Sequence, residues 1–154
     1  MTRFALLTLL LLLFSGKLAA QDDYVRFKRI TINDGLSLSS VYDIYQDSKG
    51  FMWFGTEDGL NKYDGYEFIT YYYDTDDFNS LSNNAINSLY EDKQGNLWIG
   101  TWGGGLVMFD TEKEEFIHFR NDPQNEFSLS NNEVQELVKT VRHLQSEGVG
   151  MLFV

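Results

Sequence analysis

Cysteine is absent from the 154 residues. That excludes a disulfide framework, a thiol nucleophile and a thiolate metal site. Stability must then come from packing, and an aromatic content of 16% points to a core of large flat side chains. Positive charge is scarce, with 12 Lys and Arg against 23 Asp and Glu. An apolar run long enough to cross a membrane is also missing. Phe4 to Phe14, broken only by Thr8, spans 11 residues, where a spanning helix needs about 20. With Arg3 before it and Leu18-Ala19-Ala20 after it, the run predicts a secretory signal over residues 1–20, cut before Gln21. The competing reading is an uncleaved anchor or a core helix. Without residues 1–20, ten basic residues face 23 acidic ones and the net charge is −13. A surface so acidic repels phosphate backbones and anionic lipid, which argues against nucleic-acid binding and membrane docking.

What the chain does contain is a repeat. Asp47-Ser48-Lys49-Gly50-Phe51-Met52-Trp53-Phe54-Gly55-Thr56 returns 45 residues later as Asp92-Lys93-Gln94-Gly95-Asn96-Leu97-Trp98-Ile99-Gly100-Thr101. Upstream, Leu36-Ser37 and Val41 match Leu81-Ser82 and Ile86 at the same offset. Downstream, Gly59-Leu60 and Tyr63-Asp64 match Gly105-Leu106 and Phe109-Asp110 at 46, because one glycine is inserted. Ser128-Leu129-Ser130-Asn131-Asn132 repeats Ser80-Leu81-Ser82-Asn83-Asn84 at 48. Three repeats begin and two are completed.

Each repeated element has a local task. Val41 to Gln46 and Ile86 to Glu91 are rich in β-branched and aromatic residues and read as strands. Asp47 to Gly50 and Asp92 to Gly95 read as type I turns, with Asp bonding the turn backbone and Gly taking the left-handed position. Met52 to Gly55 and Leu97 to Gly100 follow as second strands. Trp98 and Gly100 point one way, Leu97 and Ile99 the other, so both faces need cover. Glycine beside tryptophan leaves room for a neighbour. Third strands run over Leu60 to Tyr63 and Leu106 to Phe109, and fourth strands over Glu67 to Tyr73 and Phe116 to Arg120. Four strands in about 45 residues is the size of a propeller blade. The predicted fold is all-β, a partial β-propeller: blade 1 at about 41–73, blade 2 at about 86–120, and an incomplete blade from about 127, with a C-terminal helix as an added element. For the last stretch two readings stand. Ser130 and Glu133 make a capping box ahead of Val134, Leu137, Val138, Val141 and Leu144 at helical spacing, which favours a helix over 133–146. The repeat favours a strand for Val134 to Val138. Residues 139–154 do not continue the motif: Thr140, His143 and Ser146 stand where Asp92, Gly95 and Trp98 stand one repeat earlier.

These strings resemble the two-component regulator propeller repeats of hybrid two-component sensors in Bacteroidetes. The resemblance rests on Ile32-Asn33-Asp34-Gly35-Leu36-Ser37, Val41 to Asp47, Gly50 to Thr56, Asp58 to Gly65, and the second copy through Phe109-Asp110. It implies a ligand-sensing propeller in the periplasm. It further implies a membrane anchor, a histidine kinase, a receiver and a DNA-binding regulator elsewhere in an intact family member. The implied ligands are glycan breakdown products, which switch on the genes that degrade the glycan. None of those further modules is read in this chain, and a truncated or frameshifted gene product is the simplest account of the non-family tail. The implied partners are a glycan oligosaccharide and further propeller blades.

No catalytic site is read, and the chain is not expected to be an enzyme by itself. Asp47, Asp58, Asp64, Asp92 and Asp110 each lie beside a turn and are expected to cap it. Asp74-Thr75-Asp76-Asp77 reads as a solvated acidic loop, because no glycine and bidentate glutamate follow at the spacing of a calcium loop. No metal or cofactor is expected, and His118 sits between apolar Ile117 and Phe119 in a strand. Sugars stack on exposed aromatics flanked by polar groups. Trp102 in its glycine-rich turn and Tyr71, Tyr72 and Tyr73 are therefore the candidate ligand contacts, with packing between blades as the alternative. Asp47, Gly50, Trp53, Gly55, Asp92, Gly95, Trp98 and Gly100 are assigned to architecture. Two other functions compete with sensing: a secreted propeller enzyme acting on glycans, and an exported repeat protein used for protein interaction. Two and a half blades leave faces and edges uncovered, so residues 21–154 alone are expected to be unstable or to self-associate.

Overall fold

The computed structural model describes residues 27–137. They form two four-stranded antiparallel sheets, each a simple meander. Blade 1 comprises β1 (Val41–Gln46), β2 (Met52–Thr56), β3 (Gly59–Tyr63) and β4 (Phe68–Tyr71). Blade 2 comprises β5 (Ile86–Glu91), β6 (Leu97–Thr101), β7 (Leu106–Asp110) and β8 (Glu115–Phe119). The 45-residue repeat is also a repeat of register. Val41 pairs with Thr56 and Asp43 with Gly55, with a bulge between them. Ile86 pairs with Thr101 and Ser88 with Gly100, with the bulge in the same place. Among the described residues no helix is long and apolar enough to cross a membrane.

The hairpin turns follow from their two marked residues. Gly50 and Gly95 adopt φ of 92° and 85°, where a side chain would be strained. Asp47 Oδ1 accepts the backbone N–H groups of Lys49 (3.0 Å) and Phe51 (2.9 Å). Its other oxygen accepts the Trp53 indole N–H at 2.8 Å. Asp92 does the same for Gln94, Asn96 and the Trp98 indole. One carboxylate thus closes the turn and fixes the ring six residues on, which explains the constant spacing between Asp and Trp.

The core lies between the blades. Trp53 and Leu60 from blade 1 pack against Ile86, Leu89, Leu97, Ile99, Val107 and Phe109 from blade 2, with Leu81 of the connecting segment. Trp53 stacks on Tyr71 and meets Phe109 edge-on, at centroid distances of 6.1 and 5.9 Å. A Cβ at Gly55 would come within 2.7 Å of the Ile86 side chain, so this glycine is the seat of the neighbouring blade's first residue. The opposite face of blade 1 carries Phe54, Tyr63, Met52 and Phe68. The N-terminal segment covers it through Ile30 and Leu36, which flank a single 3-10 turn (Ile32–Asp34) capped by Thr31.

Two expectations are corrected. The fourth strand of blade 1 ends at Tyr71 rather than Tyr73, because the next residues leave the ladder. The Tyr72 carbonyl accepts the Leu81 N–H at 3.3 Å, and the Tyr73 N–H goes to Asn84 Oδ1 at 2.7 Å. The helix expected from Glu133 does not start, since residues 133–137 are not helical. Glu133 bridges Trp102, and Val134 donates its N–H to the Thr101 carbonyl at 3.0 Å. Val134 is fully buried against Gly100, as Ile86 is against Gly55, and 48 residues separate Ile86 from Val134. Burial in this seat outweighs the local capping preference. The rest of that stretch, the tail 139–154 and the signal segment 1–20 lie outside the described residues.

Candidate functional site

Alternation along a meander sorts the loops between two ends. The β1–β2 and β5–β6 turns, with their Asp and Gly, lie at one end. The β2–β3 turn, the β6–β7 turn and the segments that follow β4 and β8 lie at the other. The candidate ligand residues Trp102, Tyr72 and Tyr73 all fall at this second end. Their exposures are 57%, 47% and 45%. Tyr71 does not join them. It is half-buried in the inter-blade core, stacked on Trp53 and edge-on to Phe116. Burial, with the nearby Glu114 carboxylate, pushes its hydroxyl up from the usual tyrosine value.

Asn84 ties this end together. Its Oδ1 accepts the Tyr73 N–H, its Nδ2 donates to Asp58 Oδ1 at 3.1 Å, and its carbonyl accepts the Gly59 N–H at 2.8 Å. The next residue, Ala85, accepts the Trp102 N–H at 2.9 Å. Backbone hydrogen bonds therefore hold Tyr73 and Trp102 to adjacent residues. Tyr72 lies over Gly59, whose φ is 105° and whose Cβ would stand 3.1 Å from the ring. Asn132 repeats the latch with Asn121 and Gly105. In the sequence the Ser-Leu-Ser-Asn-Asn strings read only as repeat markers. Their recurrence at 48 was the available sign that they bind one blade to the next.

The acidic candidates serve the backbone. Asp74 accepts the Asp76 N–H and Asp77 accepts the Asn79 N–H. Among the described residues no group of three or more acidic or histidine side chains stands close enough to hold a metal ion. The His118 ring shares a 2.8 Å hydrogen bond with the Ser80 carbonyl, which fastens the connector to β8. Asp110 is held at about 2 by its hydrogen bonds to the Lys113 ammonium and backbone N–H. Burial pushes the Asp92 carboxyl up, yet the hydrogen bonds from the Trp98 indole, Asn96 and Gln94 outweigh it and leave Asp92 below the usual 3.8. A carboxyl lowered by folding stabilises the fold above its unfolded value and loses that contribution as pH falls through its folded value. Asp92→Asn should therefore lower the urea midpoint near neutrality and narrow the gap to the parent below about pH 4. A gap that stays constant from neutral to acid pH would contradict this.

The model of the family "Two component regulator propeller" matches residues 35–58 and 80–103. Residues 35–58 and 80–103 are two-component regulator propeller repeats. Each match runs from a Leu-Ser connector to the turn after the tryptophan strand, the stretch whose register recurs in the structure. A solved structure of the extracellular domain assigned to the hybrid two component system BT3049 of B. thetaiotaomicron is similar at 37% identity and a TM-score of 0.69, over 75% of this chain. That of BT4673 from the same organism is similar at 32% identity and a TM-score of 0.52, over 71% of this chain. "Histidine kinase P4" of Formosa agariphila is 51% identical over 65 residues. The chain spans 16% and 15% of those two structures and 5% of the curated relative.

Proposed function

We propose that this chain supplies blades to the periplasmic, ligand-sensing propeller of a hybrid two-component sensor, and that its ligand is an oligosaccharide released by glycan breakdown. The histidine kinase activity and the membrane anchor belong to other segments of the intact sensor, and the propeller is completed there by further blades. The single observation that carries the ligand reading is the placement of Trp102, Tyr72 and Tyr73 at one end, all exposed, with Tyr73 held by Asn84 and Trp102 by Ala85. Flat rings beside Asp58 and Asn84 offer stacking and hydrogen-bonding groups together, as a sugar site requires. The likeness to extracellular domains supports the export that residues 1–20 suggest.

Tryptophan fluorescence of the intact sensory region, titrated with oligosaccharide fractions, tests this reading. A saturable change is expected. Trp102→Ala should weaken binding at least roughly tenfold, which is about 1.4 kcal/mol. Binding unchanged when Trp102, Tyr72 and Tyr73 are all alanine would remove the site from this end. No response to any glycan fraction would remove the ligand class.

A further inference from the structure

The latch made by Asn84 recurs one blade on, where it holds a different side chain. In blade 1 Tyr72 follows Tyr71, which pairs with Leu60. In blade 2 Arg120 follows Phe119, which pairs with Leu106. Arg120 therefore stands where Tyr72 stands. Tyr72 lies over Gly59, and Arg120 lies over Gly105, where a Cβ would come within 3.3 Å of the Arg120 Cγ. The next residue is fixed in both blades. The Tyr73 and Asn121 N–H groups each donate at 2.7 Å to an asparagine Oδ1. Across the turn, Glu57 and Trp102 are equivalent, and their N–H groups go to the Ser40 and Ala85 carbonyls. Blade 1 thus brings a carboxylate and a phenol ring to this end. Blade 2 brings an indole and a guanidinium.

Arg120 is exposed. Among the described residues it makes no ion pair or hydrogen bond, in a chain with 23 Asp and Glu. Lys49, Lys93 and Lys113 belong to turns at the other end, and Lys62 lies there over the Phe51 ring. A guanidinium grips an oxyanion through two parallel N–H bonds. The Arg120 stem rests on the turn that carries Trp102, which brings the charge to the ring's own turn. We propose that the sugar stacked on Trp102 carries an acidic group, a carboxylate or a sulfate ester, and that Arg120 holds it. This rests on the oligosaccharide reading and names the chemical class of its ligand. The net charge of the chain limits that ligand. Repulsion acts over most of the surface. Salt screens exposed charges beyond about 8 Å, whereas the two guanidinium bonds act in contact. A long polyanion is therefore refused, and a short chain with its acid at one place is accepted. A following blade leaves the position open, because Tyr72 keeps 47% exposure with blade 2 beside it.

Calorimetric titration of the intact sensory region with three sets of oligosaccharides tests this. The sets are neutral cello- and manno-oligosaccharides, oligogalacturonates with oligoalginates, and sulfated oligocarrageenans. The tightest binding should come from one of the two acidic sets, and which one distinguishes carboxylate from sulfate. Arg120→Gln should weaken it at least roughly tenfold, as loss of a charged hydrogen-bonding partner does, with an unchanged circular dichroism spectrum. Arg120→Lys should fall between, since it keeps the charge and loses the fork. The same oligosaccharide, carboxyl-reduced or desulfated, should bind the parent as weakly as the acidic form binds Arg120→Gln. Tightest binding in the neutral set would overturn the proposal and leave the sugar reading standing, as would acidic binding that Arg120→Gln does not weaken. Binding of none of the three sets would overturn both.

Discussion

Trp53→Ala should unfold the two blades, whereas Trp98→Ala should leave them folded. The two tryptophans occupy the same place in the repeat, 45 residues apart, so local propensity predicts equal effects. Their surroundings differ. Trp53 is fully buried among Tyr71, Phe109 and the aliphatic residues of blade 2. Truncating such a ring costs about 3–5 kcal/mol, and the whole stability of a domain is about 5–15 kcal/mol. The Asp47 carboxylate would also lose its buried donor. Trp98 keeps one side open, so less area is lost and water can replace the ring. Urea unfolding followed by circular dichroism at high dilution should show a large loss for Trp53→Ala and a small one for Trp98→Ala. Equal losses would mean that the space between the blades is not the main core.

That contrast marks how far the residues alone could be read. Turn chemistry and alternation located all eight strands to within two residues at either end, because Gly50, Gly95 and the Asp residues act locally. Burial is a property of neighbours, so nothing within Asp-x-x-Gly-x-x-Trp tells Trp53 from Trp98. The same limit explains the tail. Val134 and Leu137 have helical spacing, yet Gly100 provides a seat that local periodicity does not register. The offset of 48 that carries Ser80 to Ser128 also carries Ile86 to Val134, and this was the signal for a strand-like docking. At the candidate site, the exposed aromatics were legible as Trp102, Tyr72 and Tyr73. Tyr71 was not separable from them, because side chains alternate along β4 and only the pairing shows which ring turns inward. Asn84 gave no sign of its role beyond its recurrence as Asn132.

Asp47→Asn should cost about 1–3 kcal/mol in the parent and much less in a Trp53→Phe background. Asparagine keeps an oxygen for the Lys49 and Phe51 N–H groups, so the turn survives. Its other atom is an amide nitrogen, which places a donor against the indole N–H where an acceptor stood at 2.8 Å. The indole is buried, so no water can take over, and an unpaired buried donor carries its full desolvation penalty. Phenylalanine at 53 has no N–H, and the penalty disappears with it. The coupling from the four urea midpoints therefore measures this one bond. Asp47→Ala should cost more than Asp47→Asn, since it also leaves the two turn N–H groups without their acceptor. The same cycle on Asp92 and Trp98 should give a smaller coupling, because Trp98 is reachable by water and Asp92 also binds the Asn96 side chain. If Asp47→Asn costs as much beside phenylalanine as beside tryptophan, the turn alone accounts for the aspartate. The constant spacing of six residues to the tryptophan would then need another cause.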